Sequence, residues 1–179
     1  MRLDAVRDGE FDADRFVTLF TRAWLDDYLS HTPGDRDVVA IPLANGFEYL
    51  FDATVHPADD EADNRVLGGW GRSLALSAPR DRSRMAGYPS PQRDNPSAVD
   101  RGHLIAHSIG GGLDLNLIPQ IAAVNRKGRW RKLEAYCAAN PGTFLFVHAV
   151  YDDLSDHPAE LEFGIVVGGQ VRVERFANR

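Results

Sequence analysis

Phe16, Phe20, Trp24 and Tyr28 recur at every fourth position, with Val17 and Leu25 beside them. That period lays one apolar stripe along a helix, and it predicts an amphipathic helix over 14–30. Asp12 or Asp14 can cap its start, and His31, Pro33 and Gly34 end it. Two apolar runs, VVAIPL and FEYLFDATV, then flank Ala44-Asn45-Gly46, which has the chemistry of a hairpin turn. Pro42 has no ladder donor, so the first of these strands is expected at an edge or a bulge.

Asp59-Asp60-Glu61-Ala62-Asp63 reads as a solvated loop rather than an acidic metal site. A third strand is expected over 73–77. The polar stretch from Pro79 to Ser97 carries four prolines and reads as one long loop. A short apolar segment, Leu104 to Ile109, precedes Gly110-Gly111-Gly112. The pattern over 116–139 reads as helical, with Gly128 as a break and Asn140-Pro141-Gly142 as the stop. TFLFVHAVY, ELEFGIVV and VRVERF are strands, the last two joined at Gly168-Gly169. The chain shows no repeat and no low-complexity tract. It is expected to form one α+β domain over 1–179, with a central, mostly antiparallel sheet and an N-terminal amphipathic helix.

Composition narrows the function. With 179 residues, 44% of them hydrophobic, the chain can bury a sizeable core. No apolar run approaches the roughly eighteen residues of a membrane helix. Cys137 is the one cysteine, which excludes an internal disulfide and a Cys-x-x-Cys zinc site. The N-terminus has no apolar signal region, so a cytoplasmic location or export by a leaderless route is expected. The net charge of −6 taken alone disfavours a polyanion partner. Its distribution does not: between Pro79 and Ala135 ten basic residues face five acidic ones. A basic middle between acidic flanks suits a nucleic acid, and equally a solvated helix face.

The chemistry concentrates in Asp100-Arg101-Gly102-His103, Asn116-Leu117-Ile118-Pro119-Gln120, Asn125, Trp130 and Leu133-Glu134. A histidine can take a proton near neutral pH. An asparagine offers the neutral hard oxygen that suits Mg²⁺ held mainly by water and substrate phosphate. Arginine and lysine neutralise developing phosphoryl charge. The set fits metal-assisted phosphodiester hydrolysis; the same residues also fit a core histidine with helix-capping asparagines.

The segment DRGHLIAHSIGGGLDLNLIPQIAAVNRKGRWRKLE resembles the DNA/RNA non-specific endonucleases, the ββα-metal or His-Me finger nucleases. The likeness is strong from Asp100 to Glu134 and looser from about Arg80 and through the C-terminal strands. It implies a ββα-metal core in a motif-bearing part of about 73–179, with 1–72, a helix and a hairpin, carrying no matching motif. The implied activity is Mg²⁺-dependent, sugar-non-specific endonuclease cleavage of DNA, RNA or both, with Mn²⁺ as an alternative ion. By the resemblance, His103 is the general base, Asn125 the single protein ligand of the ion, and Asn116 a supporting asparagine. Glu134 orients metal-bound waters. An upstream arginine holds the phosphate; Arg82 is chosen over Arg80, Arg84 and Arg72. Arg84, Arg101, Arg129, Arg131 and Lys132 are the expected nucleic-acid contacts.

Asn125 and Glu134 stand nine apart, where eight is the spacing in the best-known branch of the family. Nine residues of unbroken helix turn roughly 900° and put the two on opposite faces, so Gly128 is expected to break the helix. His107 lies four residues after His103 and would suit a metal pair only on a helix; its flanks read as strand or loop. His148 and Cys137 read as core, and His31, His56 and His157 as loop or terminal residues. The alternative function is a catalytically inactive nucleic-acid-binding or protein-interaction module of the same fold. An active nuclease without a leader would threaten its host, which suggests a toxin or effector, or an inhibitor or immunity protein as partner. No membrane partner is implied.

Overall fold

A computed structural model describes residues 11–56, 61–75, 99–112 and 115–179. Helix α1 spans Ala13–His31. The Asp12 carboxylate accepts the backbone N–H of Arg15 at 3.0 Å, supplying a partner to one of the four donors a helix start leaves open. At the other end the Thr32 N–H and hydroxyl both donate to the Tyr28 carbonyl. Phe16, Phe20, Trp24 and Tyr28 are all buried, as the four-residue stripe requires.

The stripe packs on a six-stranded antiparallel sheet. Its strands are β1 (Val38–Pro42), β2 (Glu48–Asp52), β5 (Arg65–Arg72), β8 (Phe144–Val150), β9 (Glu160–Val167) and β10 (Gln170–Ala177), in that spatial order. β1, ending at Pro42, is an edge, where a missing donor costs least. Phe20 stacks on Phe146 at 5.1 Å, Trp24 meets Trp70 at 6.3 Å, and Trp24 lies flat on His148 at 4.6 Å. Burial of each such ring contributes about 1.5–3 kcal/mol before entropy is counted. Alternate residues of the same strands face the other way, and there the functional layer sits.

That layer begins with β6 (Val99–His103), paired antiparallel with β7 (Leu117–Ile121) so that Asp100 faces Gln120 and His103 faces Leu117. Helix α2 (Ala122–Arg126) follows directly. Lys127 is extended, Gly128 sits at φ +79, a region that favours glycine, and helix α3 (Gly128–Ala139) restarts in a new direction. On α3, Trp130 and Cys137 are fully buried, and the Trp130 ring stands edge-on to Phe163 at 5.1 Å and Phe176 at 5.3 Å. Leu104, Ile105 and Ile109, just beyond β6, are fully buried in the same core. Asn178 fastens the unit to the sheet. Its Oδ1 accepts from the Ile121 N–H, and its Nδ2 donates to the carbonyls of Pro119 and Pro158.

The structure corrects three sequence expectations. Residues 117–121 form a strand, not the start of a helix: a short run such as Leu-Ile fits either period, and pairing with β6 decides it. The next strand of the main sheet is β5, Arg65–Arg72, eight residues earlier than the run at 73–77; residues 73–75 are not strand, and 76–77 lie outside the described residues. In the acidic run, Glu61–Ala62 is a short strand, β4, on β3 (Val55–His56). Asp63 is an ion-pair partner of Arg36 and Arg65 rather than a solvated charge. This cluster continues inward, with the Tyr28 hydroxyl donating to Asp52 at 2.6 Å and Arg65 donating to Tyr28 at 3.0 Å. Burial, then the Asp52 bond, push the Tyr28 phenol up to about 12. The proline-rich stretch 79–97, with Arg80, Arg82 and Arg84, lies outside the described residues.

Candidate active site

His103 is the last residue of β6 and is 9% exposed. The turn after it is closed by Asn116, which is fully buried. Asn116 Oδ1 accepts the Ile105 N–H at 2.8 Å, and its Nδ2 donates to the carbonyls of Ile105 at 2.6 Å and Gly112 at 2.8 Å. The side chain thus imitates a neighbouring strand for two residues beyond the end of the ladder. It fixes the segment that follows His103 and has no donor left over for a ligand.

Asn125, near the end of α2, donates through Nδ2 to Asp100 Oδ2 at 2.9 Å. A carboxylate only accepts, so the amide cannot be reversed, and Oδ1 must point away from Asp100. Arg126 holds the same carboxylate, from Nε at 2.8 Å and from a second guanidinium nitrogen. That contact raises the pKa of an already cationic, exposed Arg126. Asp100 therefore seats α2 on β6 and leaves one hard oxygen of Asn125 pointing away from itself. Asn125 Oδ1 has no hydrogen-bond partner among the described residues, and it is the kind of ligand a hydrated Mg²⁺ takes. Among the described residues no three His, Cys, Asp or Glu side chains form a metal cage.

Glu134, on α3, is 4% exposed. The Trp130 indole Nε1 donates to its Oε1 at 3.0 Å, and Arg131 holds its Oε2. Burial, with the nearby Glu134 charge, pushes the Cys137 thiol up to about 12, which leaves no thiolate for nucleophilic chemistry near neutral pH. Arg129 reaches across to Glu174 of β10 at 2.6 Å and is otherwise exposed. Lys132 is exposed and Arg101, opposite Pro119, is half-buried. Three cations of this region are thus each tethered by an acid: Arg126 by Asp100, Arg129 by Glu174, Arg131 by Glu134.

Of the residues singled out from sequence, His103 ends β6, Asn116 clamps the segment after it, and Asn125 is tied to Asp100 of the same strand. Arg82 and Arg84 lie outside the described residues. His107 starts a short 3₁₀ turn, His107–Ile109, rather than a helix that would present it with His103. Cys137 and His148 are core, as read from their spacing. Sequence reasoning missed the part of Asp100 in fixing Asn125, the Arg129–Glu174 tether and the Asn178 clasp. The Trp130–Glu134 spacing of four, one helical turn, was a usable signal.

A family model described as DNA/RNA non-specific endonuclease matches residues 62–167. A solved structure titled "extracellular nuclease" is similar over 78% of this chain and 89% of that one, at 14% identity and a TM-score of 0.42. Comparison with curated proteins finds no match. The match to the family model makes this α+β protein a nuclease, a hydrolase acting on nucleic acid. It belongs to the DNA/RNA non-specific endonuclease family.

Proposed function

We propose that the chain is a Mg²⁺-dependent endonuclease that cuts DNA, RNA or both without sugar preference, with Mn²⁺ able to replace Mg²⁺. The observation that carries this reading is the Asn125–Asp100 bond. It holds α2 on β6, the strand that ends at His103, and leaves the amide oxygen facing away from Asp100.

In this reading a ring nitrogen of His103 takes the proton of the attacking water. Asn125 holds the ion through Oδ1, and Asp100 keeps that oxygen in place. The bound ion supplies Lewis-acid stabilisation of the phosphate charge and the leaving oxygen. Asn116 fixes the backbone beyond His103 so that the imidazole is presented in one orientation. Glu134, Arg82 and Arg84 belong to the same site by resemblance. Arg101, Arg129, Arg131 and Lys132 meet the phosphates, which gives binding without base readout. A nuclease of this breadth needs restraint in its host, and an inhibitor protein is the partner that fits. Among the described residues no helix is long and apolar enough to cross a membrane.

The test is digestion of supercoiled plasmid and of structured RNA with Mg²⁺, with Mn²⁺ and with chelator, by the native chain and by Asn125→Ala. Cleavage of either substrate that needs the ion and Asn125 supports the reading. Cleavage that persists in chelator, or in Asn125→Ala at ordinary Mg²⁺, overturns it.

A further inference from the structure

The Glu134 carboxylate is committed on both oxygens. Oε1 takes the indole N–H of Trp130, four residues back along α3, and Oε2 takes Arg131, three residues back. The two partners differ in mobility. Trp130 is fully buried and wedged against Phe163 and Phe176, so its N–H is a fixed point of the core. The Arg131 side chain is 53% exposed, and its guanidinium would otherwise sample many rotamers. A nearly buried carboxylate thus joins a rigid donor to a solvent-facing cation. Orienting the water shell of an ion demands an accessible carboxylate; holding an arginine at a set angle does not.

We propose that Trp130 is a positioning residue: through Glu134 it sets Arg131 against a phosphate of the bound nucleic acid. This rests on the nuclease reading in which Arg131 meets phosphate. The arrangement places a cation in advance, so less side-chain entropy is lost on binding. Through this pair Glu134 acts in substrate binding.

The experiment measures binding of a short fluorescein-labelled duplex DNA in a His103→Ala background across a salt series. Trp130→Phe keeps an aromatic ring in the core but removes the indole N–H together with part of the ring system, so its melting is checked before binding is read. Arg131→Ala is expected to weaken binding roughly tenfold and to lower the salt slope by about 0.9, the share of one phosphate. Trp130→Phe is expected to weaken binding by a smaller factor, and the double variant to be no worse than Arg131→Ala alone. Effects that multiply would overturn the proposal, because residues acting through one another are not additive. So would unchanged binding by a folded Trp130→Phe, or, in the chain that keeps His103, a shift in the Mg²⁺ midpoint for cleavage without a shift in affinity. Glu134→Gln serves as a second variant if Trp130→Phe does not fold. It keeps an acceptor for the indole but loses the charge that holds Arg131, and it should likewise add nothing to Arg131→Ala. A native chain that binds the duplex without cutting it would defeat the nuclease chemistry and leave the Trp130 test intact. Cutting by a chain whose effects multiply would defeat the Trp130 proposal alone.

Discussion

Asn125 Nδ2 donates to Asp100 Oδ2 at 2.9 Å, and this bond decides which way the asparagine oxygen faces. In Asp100→Asn the partner can donate as well as accept, so the orientation of Asn125 is no longer dictated, and Arg126 loses its ion pair. Loss of such an outer partner typically costs 10–100-fold in metal affinity or activity. The Mg²⁺ concentration for half-maximal cleavage should therefore rise by about tenfold or more in Asp100→Asn. An unchanged Mg²⁺ titration would show that Asp100 serves only to dock α2.

His103→Ala should lose roughly 10² to 10⁴-fold in cleavage rate, the usual contribution of a general base, and still bind duplex DNA. In His103→Gly, added imidazole should restore part of the cleavage. His107→Ala should cost little, since its turn does not present it with His103. Equal inactivation by His107→Ala, with loss of metal binding in both, would instead make the two histidines a ligand pair.

Asn116→Ala leaves the Ile105 N–H and two carbonyls without their partner inside the protein. Each buried group so orphaned costs about 1–3 kcal/mol. With three groups, a loss of about 3 kcal/mol or more should lower Tm by at least roughly 6–12 °C in a domain of this length. Activity at low temperature should fall as well, because the same bonds set the segment after His103. A Tm within a degree of the native chain would mean that the turn holds without the clamp.

Glu162 makes stability depend on pH in acid. His148 Nδ1 donates to its Oε2 at 3.2 Å, and Arg175 lies on its Oε1 at 2.7 Å. The His148 bond first, and then the His148 and Arg175 charges, hold its carboxyl below the ordinary range against the opposing effect of burial. The folded pKa is thus lower than the unfolded one, near 4.3. The stabilisation is present above that value and is lost as pH falls through the folded pKa. Thermal melts from neutral to strongly acid pH should show Glu162→Gln less stable at neutrality, with the two chains converging in acid. Parallel curves would remove Glu162 from the account.

What the sequence determined by itself was everything with a local period or a fixed spacing. The aromatic stripe of α1 buries where a 3.6-residue helix must bury it, and the Asn-Gly turn joins β1 to β2. The C-terminal apolar alternations are β8, β9 and β10. DRGH, NLIPQ and Asn125 mark the segment that folds into β6, β7 and α2, and Gly128 breaks the helix between α2 and α3, as the Asn125–Glu134 spacing required. Tertiary structure alone decided the rest, where the deciding partner is far along the chain. RVLGGWGR has poor strand propensity, yet it is β5 because β2 and β8 pair with it on both sides. Leu117–Ile121 suits helix or strand until β6 lies beside it. Asp63 is half-buried and paired because Arg36 and Arg65 converge on it, and Arg129 is tethered by a glutamate from the last strand. Asn178 clasps the finger from the far end of the chain. Periodicity reports only which face of an element is apolar. Which charges and amides meet across elements depends on how those faces pack, and no local pattern records that.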